Sequence, residues 1–438
     1  SQINNKMLQI FKRFILIFLI KFSCTFNLPF IYSLVLTFSF KKIKNIKYDL
    51  KSKKKILYFY KSIGINDLTS AFNAKPSNYE IFFCESQYIL ETFNFFVSNQ
   101  IKDYDYIKKK HQEGKVEYHI FMKKTFRYIK KNWNLGAFIN SSIFYRQLKE
   151  IENFSAELQL PFITIHKEGI RTKKEREIAG WLIENRVGKF KGSKLIVYNE
   201  DEKKTYLKTK FTTKDKIDVC GCPRFDNYLK IKKKPQKNSI AFFMIQKEYG
   251  LPVKNYKWFI PKHLQKKFNI KKFNWDFINK QYLKIIKDFI NKNPNFEIII
   301  KSKVGYIEEQ LKPFNKMKKK NIKIIKGGDS YDIIKKCKYV VAFNSTVLFE
   351  TIAANRILIS IKELVKNKNY FGFILETNKI DFSYKFLNKL NLIKKTNVAN
   401  RNYYLKKYMG NTNGDSSLKA AISINTHLNN YFQKSKNI

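Results

Sequence analysis

The sequence predicts an α/β protein with two consecutive domains, each built on a doubly wound parallel sheet. Short apolar runs that fit buried strands alternate with stretches in which apolar residues recur every three or four positions, as in strand–helix–strand units. The chain has 438 residues, of which 44% are hydrophobic, which is enough for two cores of ordinary size. Between the two series lies the Lys-rich stretch "IKKKPQKN" (231–238), which contains a proline and predicts a domain boundary.

The first series, residues 53–230, predicts a Rossmann-like domain. The runs "KKILYFYKS", "YEIFFCES", "LGAFINSS" and "PFITIHKEG" predict strands, and "IFYRQLKEIENFSAELQL" predicts a helix between the last two. The stretch "SKLIVYNEDEKKTYLKTK" predicts a strand entering a helix, and "KIDVCGCPRFDNYLK" predicts a strand, a tight Gly-Pro turn and another helix.

The second series, residues 231–375, predicts another Rossmann-like domain. Strands are predicted at "SIAFFMIQKE", "FEIIIKSK", "IKIIKGGD", "YVVAFNS" and "RILISI", and helices at "WDFINKQYLKIIKDFINKN", "SYDIIKKC" and "TVLFETIAAN". Residues 376–438 are expected to form polar helices that end in a basic tail. Together the two domains predict the arrangement in which two doubly wound sheets face a cleft.

Residues 1–52 are predicted to attach the protein to a membrane. Residues 7–40 are apolar and aromatic, but charged residues and a proline interrupt them, and the longest apolar run, 14–20, is far shorter than the roughly 20 residues of a spanning helix. Phe-rich segments flanked by lysine favour an in-plane hairpin on an anionic membrane surface. A secretory signal and a helical cap on the first domain are the alternatives.

The chain is strongly basic, with 86 Lys and Arg against 35 Asp and Glu and a net charge of +51. Such a surface attracts anionic lipid and polyanions. Specific nucleic-acid binding is not expected, because no recognition motif accompanies the charge. Five scattered cysteines, an odd number, favour a reducing cytoplasm, and the C-x-C pair Cys220 and Cys222 is expected to end a strand rather than bind zinc.

Polar residues follow the predicted strands of the second domain, where open parallel sheets bind their ligands. They suit a phosphorylated ligand, because lysines, adjacent glycines and hydroxyls at a helix start can all contact phosphate. The hydroxyls of Ser345 and Thr346 could instead cap the helix. Glu350 can accept hydrogen bonds from ribose hydroxyls, and its alternative is a solvated helix charge. The predicted donor-binding residues are Lys247, Lys301, Ser302, Gly327, Gly328, Asn344, Ser345, Thr346 and Glu350.

Two segments, "VCGCPRFDNYL" and "GGDSYDIIKKCKYVVAFNSTVLFETIAANRILISI", resemble GT-B-fold glycosyltransferases of surface-carbohydrate biosynthesis, which are related to CDP-glycerol glycerophosphotransferases and UDP-GlcNAc 2-epimerases. The resemblance covers about residues 130–365. It implies transfer of a sugar from a nucleotide sugar to a growing glycan or lipid-linked acceptor at the cytoplasmic face of the inner membrane, with no metal or other cofactor. Many relatives have a histidine where Lys301 and Ser302 stand here.

Catalysis is expected at "ITIHKEGIRTKKE" in the first domain, because transfer to a hydroxyl needs a base within hydrogen-bond reach. Glu168 and His166 are the candidates, and His166 is otherwise a structural strand-end residue. Arg171 either orients an acidic group or is a solvated charge, and Arg224 either contacts ligand or bridges the two domains. Two other functions remain open: a sugar-nucleotide epimerase and a non-catalytic basic binding module.

Overall fold

Two separate β-sheets, both mainly parallel, organise the chain. The computed structural model describes residues 2–60, 64–101, 103, 106–107, 111–245, 262–267, 274–303, 310–314, 317, 320–343, 345–365, 377, 379–393 and 397–434. Helices cover both sheets, so the predicted α/β class with two parallel-sheet domains is confirmed.

The strands are β1 Lys41–Lys42, β2 Lys55–Tyr60, β3 Glu80–Glu85, β4 Leu135–Asn140, β5 Phe162–Ile165, β6 Lys194–Val197, β7 Ile217–Val219, β8 Gln236–Phe243, β9 Glu297–Lys301, β10 Ile322–Ile325, β11 Cys337–Ala342, β12 Ile357–Ser360 and β13 Asp381–Ser383. The helices are α1 Gln2–Thr25, α2 Pro29–Ser39, α3 Gly64–Ala74, α4 Ser86–Phe96, α5 Gln112–Trp133, α6 Lys149–Ser155, α7 Lys173–Leu182, α8 Glu200–Lys208, α9 Asp226–Leu229, α10 Lys262–Lys267, α11 Trp275–Lys292, α12 Tyr331–Lys336, α13 Val347–Ala353, α14 Val398–Tyr404 and α15 Ser416–Lys434.

The chain divides into two units, each with one of the sheets. The first unit comprises Ser1–Gly169, Ala179–Arg224 and Asp415–Ile438, and the second comprises Ile170–Ile178 and Phe225–Gly414. The last helix, α15, therefore belongs to the first unit. Its residues Ala420, Ala421, Ile424 and Leu428 are buried in the same core as the apolar side of α3. The sequence interpretation treated residues 376–438 as one polar segment and did not detect this apolar stripe.

The sheet of the first unit has the strand order β1-β3-β2-β4-β5-β6-β7, in which only β1 pairs antiparallel. Side chains alternate between its two faces. Phe59 of β2 stacks with Phe138 and Phe162 on one face, while Tyr58 joins Ile139 in the core of the other. From β2 the chain first adds β3 on one side and then β4 on the other, so the topological switch point lies between β2 and β4.

The sheet of the second unit has the order β10-β9-β8-β11-β12-β13 and pairs in parallel throughout. Its switch point lies between β8 and β11, because β9 and β10 extend it on one side and β12 and β13 on the other. Helix α11 buries Ile278, Tyr282, Ile286 and Phe289 at the three- and four-residue spacing that the sequence predicted.

Helices α1 and α2 form the predicted N-terminal hairpin and pack on the first unit. Ile20, Cys24, Tyr32 and Leu36 are buried in the same core as residues of α4 and α5. Within the described part of the chain, no helix has the length and apolar character needed to cross a bilayer. The buried side of the hairpin caps the rest of the first unit, as the alternative interpretation expected, while the other side is exposed.

Candidate functional site

The switch point of the second sheet carries the polar residues that follow β11. Ser345 and Thr346 are half-buried there. The Ser345 hydroxyl accepts from the Val347 amide at 3.3 Å, so this side chain shapes the turn into α13. Two predicted residues, Asn344 and Lys247, lie outside the described residues.

Glu350 is the centre of a hydroxyl network rather than a solvated helix charge. Its side chain lies one turn into α13 and is only 7% exposed. One carboxylate oxygen accepts from the Thr346 hydroxyl at 3.1 Å and the other accepts from the Ser330 hydroxyl, which is 3.0 Å from the hydroxyl of Tyr228. Burial, together with the Glu350 charge, raises the pKa of Tyr228 and keeps this hydroxyl protonated. Two hydroxyls thus orient the Glu350 carboxylate, whose oxygens are hydrogen-bond acceptors at this edge of the sheet.

Two lysines at the end of β9 lie within electrostatic reach of this carboxylate. Burial lowers the pKa of Lys301, and the charges of Glu350 and Asp329 offset only part of that effect. Burial and the neighbouring Lys301 charge lower the pKa of Lys303 to about 8, against a partial offset from Glu350. An anion bound beside these ammonium groups would favour their charged forms.

Lys303 was not among the predicted donor-binding residues. The signal was present in "KSK" (301–303), which has a lysine on either side of Ser302. Ser302 itself is 1% exposed, and its hydroxyl accepts from the Gly327 amide at 3.2 Å. It therefore ties the end of β9 to the loop after β10.

The loop after β10 turns through two glycines with left-handed backbone angles. Gly327 has φ 64° and Gly328 has φ 77°, a conformation that glycine adopts without the steric cost of a Cβ. A Cβ added at Gly328 would meet nothing within 4 Å, so open space adjoins the backbone here. The predicted glycine pair thus lies at the same carboxyl edge as Lys301 and Glu350.

We expect anion binding at this edge to weaken above pH 8. Lys303 has a lowered pKa, so its ammonium loses a proton as the pH rises through about 8 and stops attracting the anion. Sulfate, whose charge is constant between pH 7 and 9, is a suitable probe, and its Kd should rise up to about tenfold per pH unit above 8. Lys303→Arg keeps its charge and should lose this pH dependence in calorimetric or NMR titrations. Identical pH profiles for the wild type and Lys303→Arg would show that Lys303 is not the group whose titration weakens anion binding.

In the first unit, Glu168 lies exposed beyond the end of β5. Its carboxylate accepts from the Ser142 hydroxyl at 3.3 Å, and Ser142 follows β4 at the switch point of this sheet. Burial and the Glu168 charge raise the pKa of the nearby Tyr145. The candidate base is therefore a solvent-accessible carboxylate at the carboxyl edge of its sheet.

The other predicted residues of this region are less accessible. His166 is 0% exposed, and its ring packs 5.4 Å from the ring of Phe144 and 5.9 Å from that of Tyr206. His166 is thus enclosed within the first unit, and Glu168 is the solvent-accessible candidate. Arg171 is 5% exposed rather than a solvated charge, and its carbonyl accepts from the Arg176 guanidinium at 2.6 Å.

Arg224 pairs inside the first unit. Its guanidinium donates to the fully buried Asp67 carboxylate at 2.7 Å, and its amide donates to the other oxygen at 3.2 Å. The Tyr198 hydroxyl and the Cys222 thiol also contact Asp67. Burial acts against the charged guanidinium, but Asp67 together with Cys222 and Tyr198 outweighs it and raises the pKa of Arg224. All four residues belong to the first unit, so Arg224 organises that unit's core.

No family model and no curated protein matches the sequence. Among solved structures, the chain is similar to UDP-GlcNAc 2-epimerase of Methanocaldococcus jannaschii, with 15% identity, coverage of 86% of this chain and 100% of that chain, and a TM-score of 0.46. It is also similar to UDP-GlcNAc 2-epimerase of Neisseria meningitidis, with 12% identity, 85% and 99% coverage, and a TM-score of 0.46. Similarity to the wall teichoic acid polymerase TagF has 11% identity, 97% and 98% coverage, and a TM-score of 0.45. These likenesses decide neither family nor activity, which must be inferred from the chain's own residues.

Proposed function

We propose that this protein is a sugar-nucleotide enzyme whose second unit binds the nucleotide, and that it transfers the sugar to a growing glycan or lipid-linked acceptor. One observation carries the proposal: Lys301, Lys303, the Gly328 loop and Glu350 all occupy the carboxyl edge of one parallel sheet, whose switch point lies between β8 and β11. Doubly wound sheets bind their ligands at that place.

The chemistry of these groups fits a diphosphate attached to a ribose. The two ammonium groups attract phosphate oxygens, and the open space beside Gly328 lets the ligand approach the backbone closely. Glu350, already oriented by the hydroxyls of Thr346 and Ser330, can accept from ribose hydroxyls. No cofactor besides the nucleotide sugar is needed for this step.

Transfer requires a base for the acceptor, and we assign that role to Glu168. As the acceptor oxygen forms its bond to the anomeric carbon, the Glu168 carboxylate takes the hydroxyl proton. The bond between the anomeric carbon and the phosphate oxygen breaks, and the electron pair leaves with the nucleotide. Lys301 and Lys303 stabilise the negative charge that develops on this leaving group.

A panel of UDP-, GDP-, CDP- and CMP-linked sugars tests nucleotide binding through the melting temperature, which a ligand of the folded state raises by mass action. At least one class should raise it. Lys301→Ala should weaken the Kd for that nucleotide by roughly 10- to 150-fold, since a hydrogen bond to a charged group contributes about 1.5–3 kcal/mol. Lys237→Ala, at the exposed amino end of β8, is the matched control and should leave the Kd unchanged. If no nucleotide is bound, or if both variants behave alike, the site is not a nucleotide site.

NMR of the sugar product then separates the possible activities. A transferase changes the sugar only when an acceptor is present, whereas an epimerase inverts a sugar carbon of the nucleotide sugar alone. A binding module yields no product and shows steep salt dependence of binding. We expect release of free nucleotide that depends on an acceptor hydroxyl.

A further inference from the structure

The N-terminal hairpin exposes an unusually apolar surface. About half of the large hydrophobic side chains that the described part of the chain exposes lie within residues 7–38. Phe14 is 69% exposed and Phe38 is 79% exposed. A surface of this kind on a folded protein marks an interaction site. We call it the phenylalanine face and define it by six residues: Phe11, Phe14, Phe18, Phe22, Phe30 and Phe38.

The opposite side of the hairpin holds this face in position. Tyr32 and Leu36 of α2 are fully buried, and the Tyr32 hydroxyl lies 2.6 Å from that of Thr92 in α4. In α1, Ile20 and Cys24 are buried. Phe22, which lies between them in sequence, and Phe18, which precedes them, are exposed. Both helices are therefore fixed by the core of the first unit, and their phenylalanines are directed outward without help from a partner.

The charges around the phenylalanine face indicate its partner. Residues 1–48 contain eight Lys and Arg residues and no Asp or Glu. Lys12 and Lys21 are exposed on α1 itself, whereas Lys41 and Lys42, which follow α2, pair with Glu85 and Glu80. A second copy of the chain would bring an equally basic border and another net charge of +51 against this one, which is repulsive. An anionic bilayer has negative headgroups, which attract the lysines, above an apolar acyl region, which can accept the phenylalanines.

We propose that the phenylalanine face inserts into the interfacial region of an anionic bilayer, with α1 and α2 lying in the membrane plane and their lysines at the headgroups. The two helices stay packed on the first unit while their outer side enters the acyl boundary. This inference stands apart from the nucleotide site, because it uses none of the residues of the second unit.

Sedimentation of the full-length protein with lipid vesicles tests the proposal. Wild-type protein should bind vesicles of mixed phosphatidylglycerol and phosphatidylcholine and bind phosphatidylcholine alone more weakly. The double variant Phe14→Ser/Phe18→Ser should lower partitioning at least about tenfold, because two apolar rings no longer enter the acyl boundary. Lys12→Glu/Lys21→Glu should weaken binding to the anionic vesicles only.

Phe277→Ser is the matched control, since Phe277 is a similarly exposed phenylalanine on α11 of the second unit, and it should bind like wild type. The substituted side chains are exposed, so all variants should keep the wild-type melting temperature. Failure of the wild-type protein to bind anionic vesicles, or equal binding by the Phe14/Phe18 double variant, would overturn the proposal. Gel filtration that shows a dimer dissociated by the double variant, without vesicle binding, would assign the face to self-association instead.

Discussion

Replacing Asp67 by alanine is expected to lower the free energy of unfolding of the first unit by about 3–5 kcal/mol. Asp67 is fully buried and accepts from the Arg224 guanidinium at 2.7 Å and from the Arg224 amide at 3.2 Å. The alanine variant leaves that guanidinium buried without its counter-charge and removes the acceptor of the Tyr198 hydroxyl. Hydrogen exchange of the backbone amides of β2 and β6 measures the loss of stability in the first unit, independently of the second unit.

The matched control is Asp49→Ala, which removes an ion pair with Lys51. The side chain of Asp49 is 58% exposed and that of Lys51 is 66% exposed. Such surface pairs contribute at most about 1 kcal/mol, so exchange should hardly change. The double variant Asp67→Leu/Arg224→Met should regain most of the lost stability, because it removes both buried charges and keeps the volume apolar. If Asp67→Ala is no more destabilising than Asp49→Ala, the pair is not a determinant of this core.

Glu168→Gln is expected to lower turnover by about 10²- to 10⁴-fold, the range over which a positioned general base contributes. Glutamine keeps the side-chain shape and can still accept from Ser142, but it cannot take a proton from the acceptor hydroxyl. The donor Kd should be unchanged, because the proposed nucleotide site uses residues of the second unit. Measuring turnover and nucleotide binding on the same preparation distinguishes loss of the base from loss of folding.

Glu157→Gln provides the control for this prediction. Glu157 is an exposed carboxylate of the first unit that pairs with Lys123, away from the strand ends, and its removal should leave turnover unchanged. Full activity of Glu168→Gln would require a different base. Loss of nucleotide binding in the same variant would show instead that Glu168 acts through the structure of the protein.

The architecture was predictable because strands of a parallel sheet covered on both sides are continuous apolar runs. The segments "SIAFFMIQKE" and "YVVAFNS" overlap strands β8 and β11, and Ser345 and Thr346, which follow β11, fall at the switch point. Glu350 was placed at this edge from the same pattern, and its ligand role stays a prediction. The helical cap on the first domain describes one side of the N-terminal hairpin, and membrane attachment of the exposed side stays a prediction.

What the sequence could not show depends on contacts between distant residues. Asp67 is an ordinary polar residue in "GINDLTSAFNA", and its importance arises from a partner 157 positions away. The lowered pKa of Lys303 comes from burial and from Lys301, and burial of a strand-end lysine cannot be recognised from residue type alone. The sequence left His166 open as either a base or a structural strand-end residue, because it could not show that Phe144 and Tyr206 enclose the ring.

The return of α15 to the first unit sets an order for biosynthesis. The second unit is complete in sequence at Gly414, whereas the first unit lacks Ala420, Ala421, Ile424 and Leu428 until α15 has left the ribosome. We therefore expect the second unit to fold first during translation, contrary to the usual amino-to-carboxyl order of domain folding. Until then the apolar side of α3 is uncovered, which makes the nascent first unit a substrate for chaperones.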